Sequence, residues 1–290
     1  MLTRSLLFVP GDSERKLAKA LQTRADVLIL DLEDSVSGER AEVARKIVRA
    51  GLDSQPKASR QHQLWVRVNA LTHPEAMADI VAVVGGQPDV ILLPKTRSGE
   101  DVMLLDHYLT ALESREGVMS GSIKIAPVVT ETPESVLAMH SYVGCSKRLC
   151  AMTWGAEDLS TAVQATTNRL PDGSLEYTYL MARSACLLAS RAAGVEPIDT
   201  LFGDYRDPQG LAEAARAARR AGFSGKVAIH PDQVDVINGA FNPSEEEVRY
   251  AQQVVEAFGQ QGTGTVGLNG KMLDMPHLKQ ARMVLAQAGM

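Results

Sequence analysis

Short apolar runs recur along the chain at intervals of about thirty residues, the length of a strand–helix–strand unit. The first four are Leu6-Leu7-Phe8-Val9, Val27-Leu28-Ile29-Leu30, Leu64-Trp65-Val66-Arg67-Val68-Asn69 and Val90-Ile91-Leu92-Leu93. The fifth and sixth are Ile125-Ala126-Pro127-Val128-Val129 and Leu149-Cys150-Ala151-Met152-Thr153-Trp154. A weaker seventh covers 195–201, and Val227-Ala228-Ile229-His230 is the eighth. Polar or turn-forming clusters end these runs. Between them, apolar spacing predicts helices over 13–21, up to residue 50, after Pro74 with Met77, Ile80 and Val84 on one face, and over 100–114, 177–193 and 211–221.

Runs that are apolar throughout, rather than alternating, fit parallel strands covered on both faces. Eight of them alternating with helices predict a (β/α)8 TIM barrel over residues 1–243. A doubly wound sheet is the competing architecture. Against it, no strand is followed by a dinucleotide fingerprint or a Walker-type phosphate loop. The one GxGxxG match, Gly262, Gly264 and Gly267, follows a helix over 244–258 instead of a strand. Residues 259–267 are therefore expected as a glycine-rich hinge. Residues 244–290 then form a C-terminal helical extension whose last helix starts at Pro276, with Leu278, Ala281, Val284 and Leu285 along one face. A helix tethered this way is a barrel cap, a lid, or an arm that docks on another subunit.

Composition narrows the function classes. A formal charge of -5 leaves no basic footprint for nucleic acid. Cys145, Cys150 and Cys186 make neither a disulfide framework nor a zinc pattern, and are expected as buried apolar residues in a reducing compartment. No apolar run approaches the roughly 20 residues a membrane span needs, and the N-terminus has no signal-type segment. A cytoplasmic protein is expected.

Active sites of such barrels lie at the C-terminal ends of the strands. Those ends carry Asp31, Glu33 and Asp34, then Arg67 and Asn69, Lys95, Glu131, Asp158 and His230. Glu131 and Asp158 end strands that should be neighbours, which puts both carboxylates over one spot. Two acids suit Mg²⁺, which takes one or two carboxylates and fills its other positions with water and substrate. Plainer readings stand beside each residue. Glu131 and Asp158 could cap helices, Arg67 could pair with Glu33 or Asp34, Lys95 could bond loop carbonyls, and His230 could serve only the turn before Pro231. Both signs of charge converging on one rim nevertheless suit a metal-bound anion with negative charge developing nearby.

Taken in order, RSLLFVPG, DLEDSV, RVN, LLPK, ET, GAEDLS, AIHPDQV and GKMLDMP resemble the citrate lyase beta-subunit-like branch of the HpcH/HpaI aldolase superfamily, from Arg4 to the final helix. That branch also holds malyl-CoA and citramalyl-CoA lyases. The resemblance implies a Mg²⁺-dependent barrel that cleaves or forms a carbon–carbon bond beta to a CoA thioester. It implies Glu131 and Asp158 as metal ligands, and Arg67 as the group that stabilises the thioester enolate. Glu33 and Asp34 would hold water or Arg67 behind them. Asp274, in the GKMxD motif, would be an acid/base carried by a lid into a neighbouring subunit, so a homo-oligomer (trimer or hexamer) is implied in turn. Arg15, Lys16 and Arg97 are candidates for the CoA phosphates, and Lys95 and His230 for further substrate contacts. The acyl group stays open between citramalyl-CoA or malyl-CoA, releasing pyruvate or glyoxylate, and citryl-CoA, releasing oxaloacetate. A non-catalytic subunit that binds acyl-CoA or a carrier is the reading from another class.

Overall fold

All eight apolar runs become strands of one parallel sheet. They are β1 (Ser5–Pro10), β2 (Val27–Asp31), β3 (Gln63–Arg67), β4 (Val90–Leu93), β5 (Lys124–Pro127), β6 (Ala151–Thr153), β7 (Glu196–Asp199) and β8 (Gly225–Ala228). The computed structural model describes residues 3–261 and 264–290. Strands pair in the order β5-β4-β3-β2-β1-β8-β7-β6. Parallel bridges Ile125↔Leu149 and Val128↔Thr153 join the two ends of that order, so the sheet closes into a (β/α)8 barrel. The connections carry α1 (Glu14–Ala20), α2 (Ala41–Asp53), α3 (Ala76–Val84), α4 (Gly99–Glu116), α5 (Pro133–Leu137), α6 (Glu157–Ala162), α7 (Tyr177–Ala193) and α8 (Pro208–Ala221). The boundary between the chain's two compact units falls after Asn238, within α9 (Gln233–Phe241).

One buried cluster takes Leu6, Ile29, Trp65, Leu92, Ala126, Ala151, Ile198 and Val227, one residue from each strand. Only the barrel axis brings eight strands together, so these side chains point inward. Their neighbours Leu7, Leu28, Val66 and Ile91 are equally buried, on the opposite face of the sheet. Burial on both faces is the physical reason the runs are apolar throughout. On α3 the buried face is Ala76, Ile80, Val83 and Val84, and Met77, expected on it, is exposed. The residues that β5 and β6 give to this cluster are alanines, and a cavity of about 480 Å³ reaches from the rim past Ala126 and Ala151 into the axis. Cys186 is buried and Cys145 and Cys150 are half-buried, all as free thiols. Among the described residues, no helix is long and apolar enough to cross a membrane.

The second unit contains α10 (Glu245–Gln261), β9 (Thr265–Leu268), β10 (Lys271–Asp274) and α11 (Met275–Gln287). The hinge expected over 259–267 is replaced by the end of α10 and by β9, while Gly262 and its successor lie outside the described residues. β9 and β10 pair antiparallel around Asn269 (φ 52°) and Gly270 (φ 76°). Asn-Gly is the preferred pair for a two-residue hairpin because both positions need positive φ. Val254, Phe258, Val266, Leu273, Leu278 and Ala281 form this unit's own core.

Candidate active site

Parallel register sets Asp31 beside Arg67, since the two are Cα partners at the ends of β2 and β3. Arg67 grips Asp31 in a two-pronged pair, Nε to Oδ1 at 2.7 Å and Nη2 to Oδ2 at 2.8 Å. Its Nη1 donates to Asp34 Oδ2 at 3.3 Å and lies 3.0 Å from Glu33 Oε2, and its guanidinium sits 4.7 Å above the Phe8 ring. Pairing with Glu33 and Asp34 is thus only part of the arrangement, and the main partner is Asp31. Burial opposes the charge on Arg67, but Asp31, Glu33 and Asp34 outweigh it and raise its pKa. Burial likewise opposes charge on Asp31, and the bonds from Arg67 hold that carboxyl below its ordinary value. Gly11 lets the β1–α1 loop close over this pair. Its N–H donates to Asp31 O at 2.8 Å, and a Cβ there would stand 2.4 Å from that oxygen.

Lys95 makes a salt bridge instead of contacts to loop carbonyls. Its Nζ donates to Glu33 Oε1 at 2.6 Å and lies 3.4 Å from Asp34 and 3.8 Å from Asp158. Burial disfavours its charge, and Glu33, Asp158 and Asp34 reverse that and raise its pKa. The backbone of Lys95 has φ 51°, and its N–H donates to Glu131 Oε2 at 2.6 Å.

Glu131 is held from both flanks. Thr130 Oγ1 donates to Gly155 O at 2.9 Å and accepts from Gly155 N–H at 3.0 Å. Thr132 caps α5 by accepting from Ser135 N–H, so the cap belongs to the neighbour of Glu131. Asp158 does not cap either, being in the first turn of α6 behind Ala156 at the cap. Glu131 is 7% exposed. Burial, reinforced by Glu33 and Asp158 and only partly offset by the Lys95 N–H, pushes its carboxyl up to about 8. Glu131, Asp158 and Arg67 all line the cavity that reaches into the barrel axis.

The arrangement fits a bound divalent cation. Among the described residues, Asp31, Glu33, Asp34, Glu131 and Asp158 gather around two cations, Arg67 and Lys95. A Cβ at Gly155 would lie 3.7 Å from Glu131 Oε1, so the glycine keeps open the space beside that oxygen. Among the described residues no three His, Cys, Asp or Glu side chains gather to hold a metal unaided. Two carboxylates with water and substrate completing the set is the habit of Mg²⁺.

The other expected contacts are not gathered at this point. Arg15 and Lys16 are exposed on α1, and Arg97 is exposed and 3.7 Å from Asp101. His230 stacks on Tyr205 at 4.6 Å. It falls beyond β8 because Gln233 Oε1 takes the N–H groups of Ile229 and His230, drawing the chain out of the sheet. None of these four lines the cavity. Asp274 belongs to the second unit, where it ends β10 and starts α11 in a capping box with His277, its side chain half exposed. Sequence reading passed over Trp154 and Asp199. The Trp154 indole lines the cavity and donates to Asp199 Oδ1 at 2.8 Å, and Arg183 and Lys226 hold that carboxylate.

Comparison with known proteins supplies a context for this geometry. The HpcH/HpaI aldolase/citrate lyase family matches residues 4–231, and a C-C bond lyase family of the TIM-barrel fold matches residues 182–290. Citrate lyase subunit beta of Haemophilus influenzae is 34% identical over 290 residues, covering 99% of this chain and 97% of its own length. L-malyl-CoA/beta-methylmalyl-CoA lyase of Cereibacter sphaeroides is 32% identical over 313 residues, covering 99% and 95%. Protein CitE of Mycobacterium tuberculosis, solved with magnesium, acetoacetate and coenzyme A, matches with a TM-score of 0.83 and 29% identity over 100% of this chain and 99% of that one.

Proposed function

The chain belongs to the HpcH/HpaI aldolase/citrate lyase family and is a carbon–carbon lyase, and from that premise we propose that it cleaves citramalyl-CoA or malyl-CoA to acetyl-CoA and a 2-oxo acid, with Glu131 and Asp158 holding Mg²⁺. The observation that carries this reading is a firmly anchored guanidinium beside the buried carboxylate of Glu131 and that of Asp158, all lining one cavity. Bound Mg²⁺ would supply Lewis acidity to the oxygens of the hydroxy-acid portion.

Cleavage leaves an electron pair next to the thioester, as an enolate whose oxygen carries the charge. Arg67 donates to that oxygen. Its bonds to Asp31 and Asp34 use three of about five N–H groups, and its raised pKa keeps it cationic throughout. Lys95, bound to Glu33, keeps the adjacent acids in place and presents its N–H to Glu131. Balance requires that the 3-hydroxyl lose a proton to a base and that the enolate carbon gain one from an acid. Asp274 is assigned the second role, and the role of base in the synthetic direction, within a trimer or hexamer whose subunits exchange this residue. Arg15, Lys16 and Arg97 serve the CoA phosphates.

Citryl-CoA cleavage to oxaloacetate is the second reading, supported by the 34% identity to a citrate lyase beta subunit across the whole chain. A coupled assay of 2-oxo acid release from citramalyl-, malyl- and citryl-CoA separates them. One thioester should be cleaved, with activity lost in EDTA, restored by Mg²⁺ and abolished in Arg67→Met. Inertness toward all three with Mg²⁺ present would overturn the assignment.

A further inference from the structure

Behind the Lys95 and Glu131 loops lies a cluster of buried hydroxyls that the chemistry above does not use. Tyr142 ends a 3-10 turn (Met139–Tyr142) and is fully buried. Its hydroxyl donates to Thr96 Oγ1 at 2.8 Å and lies 2.7 Å from Ser135 Oγ. Thr96 Oγ1 donates to Val128 O at 2.9 Å, and Ser135 Oγ to Val129 O at 2.8 Å. Thr132 Oγ1 completes the circuit with a 2.8 Å bond to Thr96 O.

We infer that Tyr142 is a positioning residue for Glu131: its hydroxyl braces Thr96, in the loop after β4, against Ser135 in the first turn of α5, and so reinforces the direct bonds between the two loops that keep the Lys95 N–H on Glu131 Oε2. The inference rests on the proposed role of Glu131 as a metal ligand. Lys95 holds a positive φ that side-chain-bearing residues rarely adopt. Such a conformation persists only where its surroundings over-determine it, and Thr96, the next residue, is the one the hydroxyls grip.

Proton counting makes the brace testable. Three hydroxyls carry three protons. That of Thr96 goes to Val128 O and that of Tyr142 to Thr96, while Ser135 divides its own between Val129 O and Tyr142. Removing the tyrosine oxygen leaves both remaining protons with a carbonyl acceptor, so Tyr142→Phe removes the brace without orphaning a buried donor and leaves the direct Thr96–Val128 and Thr132–Thr96 bonds in place.

The experiment compares full-length wild type and Tyr142→Phe by amide hydrogen exchange without metal and by calorimetric titration with Mg²⁺. Exchange at residues 95–97 and 130–132 should quicken while the rest of the barrel stays protected, and the Mg²⁺ dissociation constant should rise about tenfold, as for groups that orient metal ligands. Thr96→Ser should behave as wild type, and Thr96→Val, which also loses the bond to Val128 O, should be affected at least as strongly as Tyr142→Phe. Unchanged exchange in both loops, or a uniform rise across the barrel with Thr96→Ser no better than Thr96→Val, overturns the inference. If wild type itself binds no Mg²⁺, the ligand role of Glu131 falls, and the metal-free exchange still decides whether Tyr142 holds the loops.

Discussion

Replacing Glu131 with glutamine keeps the side chain's shape and its acceptor for the Lys95 N–H, and removes a charge the surrounding protein does not compensate. Burial, with Glu33 and Asp158 adding to it, moves that carboxyl from 4.5 to about 8. At about 1.4 kcal/mol per pH unit, ionising Glu131 inside the metal-free fold costs at most ~5 kcal/mol. The folded pKa is the higher one, so the stability contributed by this group is complete below pH 4.5 and lost as pH rises through about 8. The amide in the Glu131→Gln variant has no such proton to lose. In metal-free thermal unfolding the two proteins should therefore melt close together near pH 5, and the variant should melt roughly 10 °C higher near pH 9. Mg²⁺ at about 100 times its dissociation constant should close roughly half of that gap, because it binds the folded wild type and lifts its melting temperature while leaving the variant unmoved. Equal melting near pH 9 without metal, or an equal rise with Mg²⁺, would refute the reasoning.

The same proton competition should make Mg²⁺ binding by wild type tighten from pH 6 to about 8 and level off above, as read by calorimetry across that range. Asp31→Asn breaks the buried two-pronged pair with Arg67; urea unfolding should register a loss of about 3 kcal/mol, with turnover falling, and wild-type turnover would remove Asp31 from the anchoring of Arg67. In Gly155→Ala the new Cβ meets Glu131 at ordinary contact distance, so stability should change by less than about 1 kcal/mol while the Mg²⁺ dissociation constant rises about tenfold. Asp274→Asn retains a good helix cap and loses the acid. Circular dichroism should show an unchanged melt, turnover should drop at least ~100-fold, and retained turnover would end the acid/base assignment.

Much of this was legible in one dimension. A parallel α/β chain repeats a local unit, and each unit ends its strand at the same edge, so reading strand ends found Arg67, Lys95, Glu131 and Asp158 without knowing any contact. Continuous hydrophobicity declared the strands because both faces are buried, and Asn269-Gly270 carried a hairpin signal that the reading of a glycine-rich hinge left unused. What the sequence could not supply depends on register and backbone twist between distant segments. Asp31 meets Arg67 across 36 residues only because β2 and β3 pair end to end. The Lys95 N–H finds Glu131 only because its φ is positive, and His230 leaves the barrel only because Gln233 captures its amide. Thr96, Ser135 and Tyr142 are ordinary letters in the chain. A hydroxyl's partner is set by a few tenths of an ångström in three dimensions, and no spacing in the sequence encodes that.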